Sequence, residues 1–167
     1  MFYVRTATEK DLPRVSEILR ETWHSTYDHL YGSEIVTQIT DEHHTVERLL
    51  EQQNRPNSEF LVADNGSIIG GMAYATQSEK TIKLHQLYVH PDYQGGKTGL
   101  HLLIEIENSF LDANSMTLEV EENNTIAVEF YKRYGFKAKG VVEDCAGIGV
   151  GIPAIIMEKS VVYADEY

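Results

Sequence analysis

Apolar residues near the start of the chain follow first the spacing of a strand and then the spacing of a helix. Phe2 to Thr6 alternates over a short run, which predicts an edge strand. Thr8 then marks a helix start, because its hydroxyl can cap the first turn and Asp11 follows at the third position. The buried stripe of this helix is predicted from apolar residues three and four positions apart: Leu12, Val15, Ile18 and Leu19.

A second helix is predicted from Asp41 to Gln53, and three strands follow it. Asn54, Pro56 and Asn57 end that helix, whose buried face is predicted to carry Val46, Leu49 and Leu50. The first two strands, Phe60 to Ala63 and Ile68 to Ala75, are joined by a hairpin turn at Asp64-Asn65-Gly66. The third strand, Lys80 to Val89, alternates clearly and places Lys83, His85, Leu87 and Val89 on one face.

The second half of the chain alternates between helices and strands. A glycine-rich loop from Gln94 to Gly99 leads into a helix whose predicted buried positions are Leu100, Leu103, Ile104 and Ile106. The remaining predicted elements are a strand at Met116 to Val120, a helix at Thr125 to Tyr134 ended by Gly135, and strands at Phe136 to Val142 and Ala154 to Met157. The order predicts one mixed α/β domain spanning residues 1–167.

Charge and cysteine content narrow the classes of function. Among 167 residues, 26 are acidic and 14 basic, giving a net charge of −12. A nucleic-acid binder needs a basic face, so this balance argues against one and fits a cationic partner, although acidity can also serve solubility alone. Cys145 is the single cysteine, which excludes an intrachain disulfide and suits a reducing compartment. Because the amino terminus lacks the apolar run of a signal peptide and no stretch reaches membrane-span length, we expect a cytoplasmic protein without a membrane partner.

The glycine-rich loop has the pattern of a phosphate-binding site. The first turn of a helix has unpaired backbone N–H groups and a partial positive charge, and glycines let a bulky anion approach them. Two specific motifs are excluded. A P-loop ending at Gly96-Lys97-Thr98 would need a glycine where the chain has Pro91, and no window supplies a dinucleotide-binding G-x-G-x-x-G.

Two motifs resemble the GNAT superfamily of acyl-CoA-dependent N-acetyltransferases. The first is Leu87-Tyr88-Val89-His90-Pro91-Asp92-Tyr93-Gln94 with its glycine loop, where Gln94 and Gly99 match the family pattern and Lys97 replaces its usual glycine. The second is the run from Asn124 to Phe136, with Ala127, Phe130-Tyr131 and Gly135-Phe136 at the family spacing. Some polyamine N-acetyltransferases are similar in carrying lysine at the position of Lys97. If this position needs a left-handed backbone, lysine costs roughly 1 kcal/mol.

The resemblance implies a fold and a cofactor. The fold would be a mixed, mostly antiparallel sheet of about seven strands with flanking helices, in which the strands Lys80 to Val89 and Met116 to Val120 splay apart. Acetyl-CoA would be the co-substrate, and no metal is implied. The residues implied to bind it are Leu87, Val89, Gln94, Gly95, Gly96, Lys97, Thr98, Gly99, Asn124 and Tyr131. Asn124 can equally cap a helix, and that role is compatible with a contact to the pantetheine arm.

The resemblance also implies that a primary amine attacks acetyl-CoA directly in a ternary complex, with a division of catalytic roles. The Tyr131 hydroxyl would protonate the leaving thiolate, and the Leu87 N–H would face the acetyl oxygen. Glu119 matches by spacing the base of ribosomal-protein N-terminal acetyltransferases, and His85 is a second candidate. Both could instead be ordinary polar residues on strands. The remaining histidines show no convincing ligand set for a metal.

The acceptor is a small-molecule amine by this resemblance, with a cationic amine or polyamine favoured by the acidic chain. Trp23, Tyr27 and Tyr31 lie in the stretch that would line the acceptor side, where aromatic faces attract cations. Core aromatics at helical spacing would produce the same pattern. A protein N-terminal acetyltransferase and a non-catalytic acyl-CoA sensor remain the alternatives. An exposed edge strand could also pair two copies into a homodimer.

Overall fold

The computed structural model describes residues 1–161, and residues 162–167 of the expected domain lie outside the described residues. The helices and strands in chain order are β1 Tyr3–Thr6, α1 Leu12–Tyr31, α2 Ser33–His43, α3 Val46–Gln53, β2 Ser58–Asp64, β3 Ile69–Ser78, β4 Thr81–Val89, α4 Thr98–Ser109, β5 Ser115–Glu121, α5 Thr125–Arg133, β6 Lys137–Val142 and β7 Ala154–Ser160. This confirms the predicted α/β class and the predicted order of elements, with one additional helix.

The strands form one seven-stranded sheet in the order β1-β2-β3-β4-β5-β7-β6. β4 and β5 run parallel, whereas β1 with β2, β5 with β7, and β6 with β7 pair in antiparallel fashion. The ladder between β4 and β5 joins Thr81–Leu84 to Ser115–Leu118 and ends there, although both strands continue. This early end of the ladder is what two splayed central strands require.

The chain folds into two compact units, and β3 and β4 contribute residues to both. The first unit consists of Met1–Ala75 and Gln86–Ser109, and the second consists of Thr76–His85 and the chain from Phe110 onward. The first unit therefore contains α1 to α4, the edge strand β1 with its neighbour β2, and the glycine-rich loop. The second contains β5, α5, β6 and β7.

The core of the first unit forms under α1. The predicted stripe of Leu12, Val15, Ile18 and Leu19 is completely buried. It packs with Leu49 of α3 and with apolar side chains of β2 and β3, while Val46 and Leu50 are partly buried against the same cluster. The predicted helix start at Thr8 is a separate 3-10 helix, Glu9–Asp11, and α1 itself begins at Leu12. The backbone N–H and the hydroxyl of Thr8 both donate to the Asp11 carboxylate, over 2.7 and 3.1 Å.

Two predictions about helices were wrong. The segment predicted as one helix from Asp41 to Gln53 is divided, because α2 ends at His43 and the Thr45 hydroxyl accepts the Arg48 N–H to begin α3. Ser33–His43 forms a helix that the sequence pattern did not show, since it buries only Val36, Ile39 and Thr40.

In α4 the predicted buried set was partly wrong. Leu102 is buried together with Leu103 and Ile106, whereas Ile104 is 41% exposed. The apolar residues from position 100 to 106 are nearly continuous, so spacing alone did not fix which side of the helix faces inward.

His44 lies buried between the helices of the first unit. Its ring is 5.4 Å from that of Trp23, and its Nδ1 has no hydrogen-bond partner among the described residues. Burial lowers the pKa of His44 to about 4, and the neighbouring His43 acts in the same direction. The folded protein therefore keeps this imidazole neutral at physiological pH.

We expect His44 to make folding sensitive to mild acid. The unfolded chain protonates this residue near its ordinary pKa, so stability is fully present above about pH 6.5 and is lost as the pH falls toward 4. The full loss attributable to His44 is about 3 kcal/mol, from a pKa that falls to about 4. Denaturant unfolding between pH 7.5 and 4.5 should show a weaker pH dependence in His44→Gln. His29→Gln, an exposed control on α1, should keep the wild-type slope; equal slopes in all three proteins would contradict the assignment.

Candidate functional site

The glycine-rich loop opens directly onto the amino terminus of α4. The backbone carbonyl of Lys97 accepts the His101 N–H over 2.9 Å, so the helical hydrogen bonds begin at Lys97. The N–H groups of the first turn consequently lack partners within the helix and carry a partial positive charge. The loop residues Gln94 to Lys97 are exposed. This arrangement suits an anion such as a phosphate group.

The two glycines leave room for that anion. Gly95 has a φ of 86°, a left-handed conformation that favours glycine, and a Cβ at Gly96 would meet nothing within 4 Å. Lys97 itself has a negative φ, because Asn57 and Glu79 are the only non-glycine residues with positive φ in the part of the chain that the structure describes. The backbone at position 97 is therefore unstrained, and lysine replaces the usual glycine without the left-handed penalty.

The loop is anchored at its first residues. The buried His90 donates its backbone N–H to the Gly70 carbonyl over 2.8 Å, and its Nδ1 accepts the Asp92 N–H over 3.2 Å. Because Nδ1 accepts, the proton lies on Nε2, which donates to the Glu21 carboxylate of α1. The Gln94 side-chain amide then turns back to donate to the Val89 carbonyl over 2.8 Å.

β4 reaches the loop through a region where β3 comes unusually close. A Cβ at Gly71 would lie 2.9 Å from the Tyr88 carbonyl oxygen, so only glycine fits there without a shift. Leu87 and Val89, the strand residues implied to bind the cofactor, are half-buried on either side of Tyr88. Their backbone is thus held by the neighbouring strand in the same unit.

The three aromatic residues of α1 stack along the helix. The ring centroids of Trp23 and Tyr27 are 4.7 Å apart, and those of Tyr27 and Tyr31 are 6.1 Å apart. Trp23 and Tyr27 are each only 6% exposed, whereas Tyr31 is half-buried. Burial of the first two agrees with a core role for their rings. Trp23 nevertheless keeps an indole N–H with no hydrogen-bond partner among the described residues.

In the second unit, Tyr131 and Asn124 lie on α5. Asn124 caps this helix, because its Oδ1 accepts the Ala127 N–H over 3.3 Å. The Tyr131 ring is buried, with edge-on contacts to Phe130 at 5.3 Å and Phe136 at 5.4 Å. The structure therefore fixes the ring of Tyr131 tightly and shows that the capping role of Asn124 is real.

The two candidate bases lie on adjacent strands of the second unit. Glu119 of β5 is opposite Ile156 of β7, and His85 of β4 has its Nε2 2.8 Å from the Thr76 hydroxyl. Both are half-buried, and each is the next residue after the last paired position of the parallel ladder. They are thus placed where the two strands stop pairing.

Sequence reasoning missed the loop after β6, which lies near Glu119. The Asp144 carboxylate accepts the N–H groups of Gly149 and Gly151 at 2.8 to 3.1 Å. Burial, together with the charges of Glu119, Glu121 and Asp144, raises the pKa of the adjacent Cys145 thiol to about 11. An aspartate followed by three alternate glycines was the available sequence signal. It indicates a closed turn but not the element against which the turn packs.

No helix of residues 1–161 is long and apolar enough to cross a membrane. Within the same residues, no group of three or more histidine, cysteine, aspartate or glutamate side chains is arranged to hold a metal ion.

Comparisons with known proteins agree on one family. A family model described as the acetyltransferase (GNAT) family matches residues 12–136. A spermidine N(1)-acetyltransferase of Thermoplasma acidophilum is 30% identical over 150 residues, which cover 86% of this chain and 91% of that protein.

Solved structures show the same relationship. The crystal structure of the PaiA N-acetyltransferase from Thermoplasma acidophilum in complex with coenzyme A has a TM-score of 0.84 and 26% identity, covering 96% of this chain and 99% of that one. The ribosomal-protein-S18-alanine N-acetyltransferase of Escherichia coli has a TM-score of 0.70 and 17% identity over 98% of this chain and 96% of that one. The latter similarity shows the fold alone.

We expect Cys145 to react slowly with alkylating reagents. With the pKa raised to about 11, its thiolate fraction at pH 8 is roughly two hundred times smaller than that of an ordinary cysteine. Iodoacetamide labelling followed by mass spectrometry should be at least about tenfold slower in the folded than in the unfolded protein, because the higher pKa also makes the remaining thiolate more nucleophilic. Glu119→Gln removes one of the charges that raise the pKa and should accelerate labelling. Glu158→Gln, an exposed control on β7, should not; equal rates for the two variants would contradict the proximity of Glu119.

Proposed function

Since the chain belongs to the GNAT family of acetyltransferases, we propose that it transfers an acetyl group from acetyl-CoA to a primary amine of a small cationic acceptor, such as a polyamine. The family match, the spermidine acetyltransferase relative and the coenzyme A complex support an acyl-CoA-dependent acetyltransferase. The geometry that carries the proposal is the exposed loop Gln94 to Lys97 at the start of α4.

The residues of this loop fit the diphosphate of coenzyme A. Gly95 and Gly96 leave the backbone open, the first turn of α4 presents N–H donors, and Lys97 adds an exposed ammonium group. Acetyl-CoA, when bound, supplies an activated thioester. The backbone N–H groups of Leu87 and Val89 would align the acetyl group and the pantetheine arm, which positions the reacting carbon for attack.

The remaining roles fall to side chains of the second unit. Tyr131 would hold a proton ready for the departing thiolate, and the packing of its ring against Phe130 and Phe136 restricts where that hydroxyl can point. The amine must lose a proton to react, and Glu119 and His85 are the two candidate acceptors of that proton, directly or through water.

Direct attack by the amine is favoured over an acetyl-cysteine intermediate. An acetyl-cysteine route needs a thiolate, and the pKa of Cys145 is raised to about 11. At neutral pH this thiol is therefore protonated in nearly all molecules. Both substrates would then be bound at once, in a ternary complex.

A cationic acceptor agrees with three observations. The net charge of −12 attracts polycations, and the half-buried Tyr31, next to the buried rings of Trp23 and Tyr27, offers an aromatic face to an ammonium group. A relative that is 30% identical is a spermidine acetyltransferase. Tyr31, half-buried at the end of α1, is the most accessible of the three rings.

The acceptor is tested by measuring thiol release from acetyl-CoA with a panel of amines. Spermidine and spermine should be acetylated, and kcat/KM should fall as salt rises because the attraction is screened. A peptide that has a free N-terminal amine and no charged side chains near it should react poorly. Thiol release with such peptides but not with polyamines would contradict the acceptor class and leave the acetyltransferase assignment standing.

Tyr131→Phe serves as the catalytic control: turnover should fall about tenfold or more with little change in coenzyme A affinity.

We expect Lys97 to contribute directly to coenzyme A binding. Lys97→Glu replaces attraction to the diphosphate by repulsion and should raise the Kd by roughly ten- to a hundredfold in calorimetry. Lys97→Gly should change the Kd by less than about threefold, because it restores the glycine usual in the family. Since the backbone at this position is unstrained with lysine, the substitution does not relieve any strain. Lys10→Glu carries the same charge change at another exposed position and controls for net charge. Equal affinities of wild type and Lys97→Glu would show that this side chain points away from the ligand.

A further inference from the structure

The glycine loop has few restraints of its own and depends on contacts at its beginning. Gln94 to Lys97 are exposed, and a Cβ at Gly95 or Gly96 would touch nothing within 4 Å. Local structure with few buried contacts is the part of a fold that opens most easily. The orientation of the loop N–H groups is therefore set by the anchored residues that precede it.

His90 is the central residue of that anchor. It is 9% exposed and lies four positions before Gln94. Its backbone N–H binds the Gly70 carbonyl, its carbonyl accepts the Tyr93 N–H over 2.9 Å, and its Nδ1 accepts the Asp92 N–H. One side chain and its backbone thus hold the turn through Pro91 to Tyr93 that leads into the loop.

Glu21 fixes the orientation of the His90 ring. Its carboxylate accepts a hydrogen bond from Nε2, and its other oxygen lies 3.9 Å from the Arg14 guanidinium on the same helix. Holding the proton on Nε2 leaves Nδ1 as the acceptor that the Asp92 N–H needs. Around functional sites, carboxylates often hold the tautomer and the orientation of an imidazole by a hydrogen bond of this kind. The Glu21 side chain is half exposed, so packing of the hydrophobic core does not require a charged residue at this position.

We propose that Glu21 and His90 form a positioning pair for the coenzyme A loop. By fixing the turn before Gln94, the pair pre-organises the N–H donors at the start of α4, and removing it weakens coenzyme A binding without altering the chemical step. The inference rests on the proposed function, since it assigns the pair to the loop that would hold the diphosphate.

Five variants of the protein, including one control and one double variant, test the pair. Glu21→Ala removes the acceptor, while Glu21→Gln keeps an amide oxygen that can still accept from Nε2. His90→Asn keeps an acceptor for the Asp92 N–H but is too short to reach Glu21. Glu17→Ala is the matched control, because Glu17 is an exposed carboxylate of α1 that pairs with Arg14 at 3.0 Å. Coenzyme A binding is measured by calorimetry, acetyl-CoA kinetics by thiol release, and unliganded stability by thermal unfolding.

We expect graded losses of affinity. Glu21→Ala and His90→Asn should each raise the Kd for coenzyme A and the KM for acetyl-CoA roughly fivefold, and kcat should stay within about twofold. Glu21→Gln should recover most of the affinity. The double variant Glu21→Ala/His90→Asn should bind about as weakly as either single variant, because both remove one interaction.

Other outcomes would overturn the inference. Lower unliganded Tm with unchanged Kd and KM would show a purely structural pair. Equal weakening in Glu17→Ala would show a general charge effect. Failure of the wild-type protein to bind coenzyme A would overturn the proposed function, and this inference with it; normal wild-type binding with unaffected variants would overturn the inference alone.

Discussion

The close approach of β3 to its neighbours at Gly70 and Gly71 is the constraint on which the position of the glycine-rich loop depends. A Cβ at Gly70 would lie 2.6 Å from the Phe2 ring and 3.0 Å from that of Tyr93, and a Cβ at Gly71 would lie 2.9 Å from the Tyr88 carbonyl. Such distances are too short for real side chains. Adjacent glycines therefore let the edge of the sheet close on the turn after β4, where Phe2 meets Tyr93 edge-on at 5.2 Å.

This constraint explains how an exposed loop can have a defined shape. The turn from Pro91 to Tyr93 is held by Phe2 on one side, by the Gly70 carbonyl beneath it, and by Glu21 through His90. The segment that follows can then remain open to solvent without losing its orientation. A binding loop needs both properties, because a ligand requires access and a rigid scaffold lowers the entropic cost of binding it.

Sequence patterns predicted the elements well where local spacing determines them. The α1 stripe, the Asp64 to Gly66 turn, the glycine loop before α4 and the Asn124 cap all depend on neighbours within a few positions, and all are present. The division between α2 and α3 was missed because it depends on one capping threonine within a helical pattern. The bond between Glu21 and His90 joins residues 69 positions apart, so no local pattern could reveal it.

In the candidate site, too, the sequence predicted the features that depend on nearby residues and not those that depend on distant ones. Motif spacing identified the loop and α5, but it did not distinguish a pocket wall from a core for Trp23 and Tyr27. Their 6% exposure follows from how α1 packs, which spacing along one helix does not specify. The raised pKa of Cys145 likewise depends on its burial and on the charges of Glu119 and Glu121 of β5, which are distant in sequence. The objection to an acetyl-cysteine intermediate therefore comes from the structure, whereas direct attack by the amine was already expected from the sequence.

Lys97 connects the fold of the loop to the binding of its ligand. Its negative φ removes the backbone strain that lysine could have caused, so the remaining cost is electrostatic: an ammonium group beside the positive end of the α4 dipole. Exposure to water moderates that repulsion but does not reverse its sign. A diphosphate at the same place would attract both the lysine and the helix terminus. These two attractions would offset the repulsion between the lysine and the helix terminus. Under the proposed function, coenzyme A should therefore stabilise the fold in proportion to the logarithm of its concentration once the site is saturated.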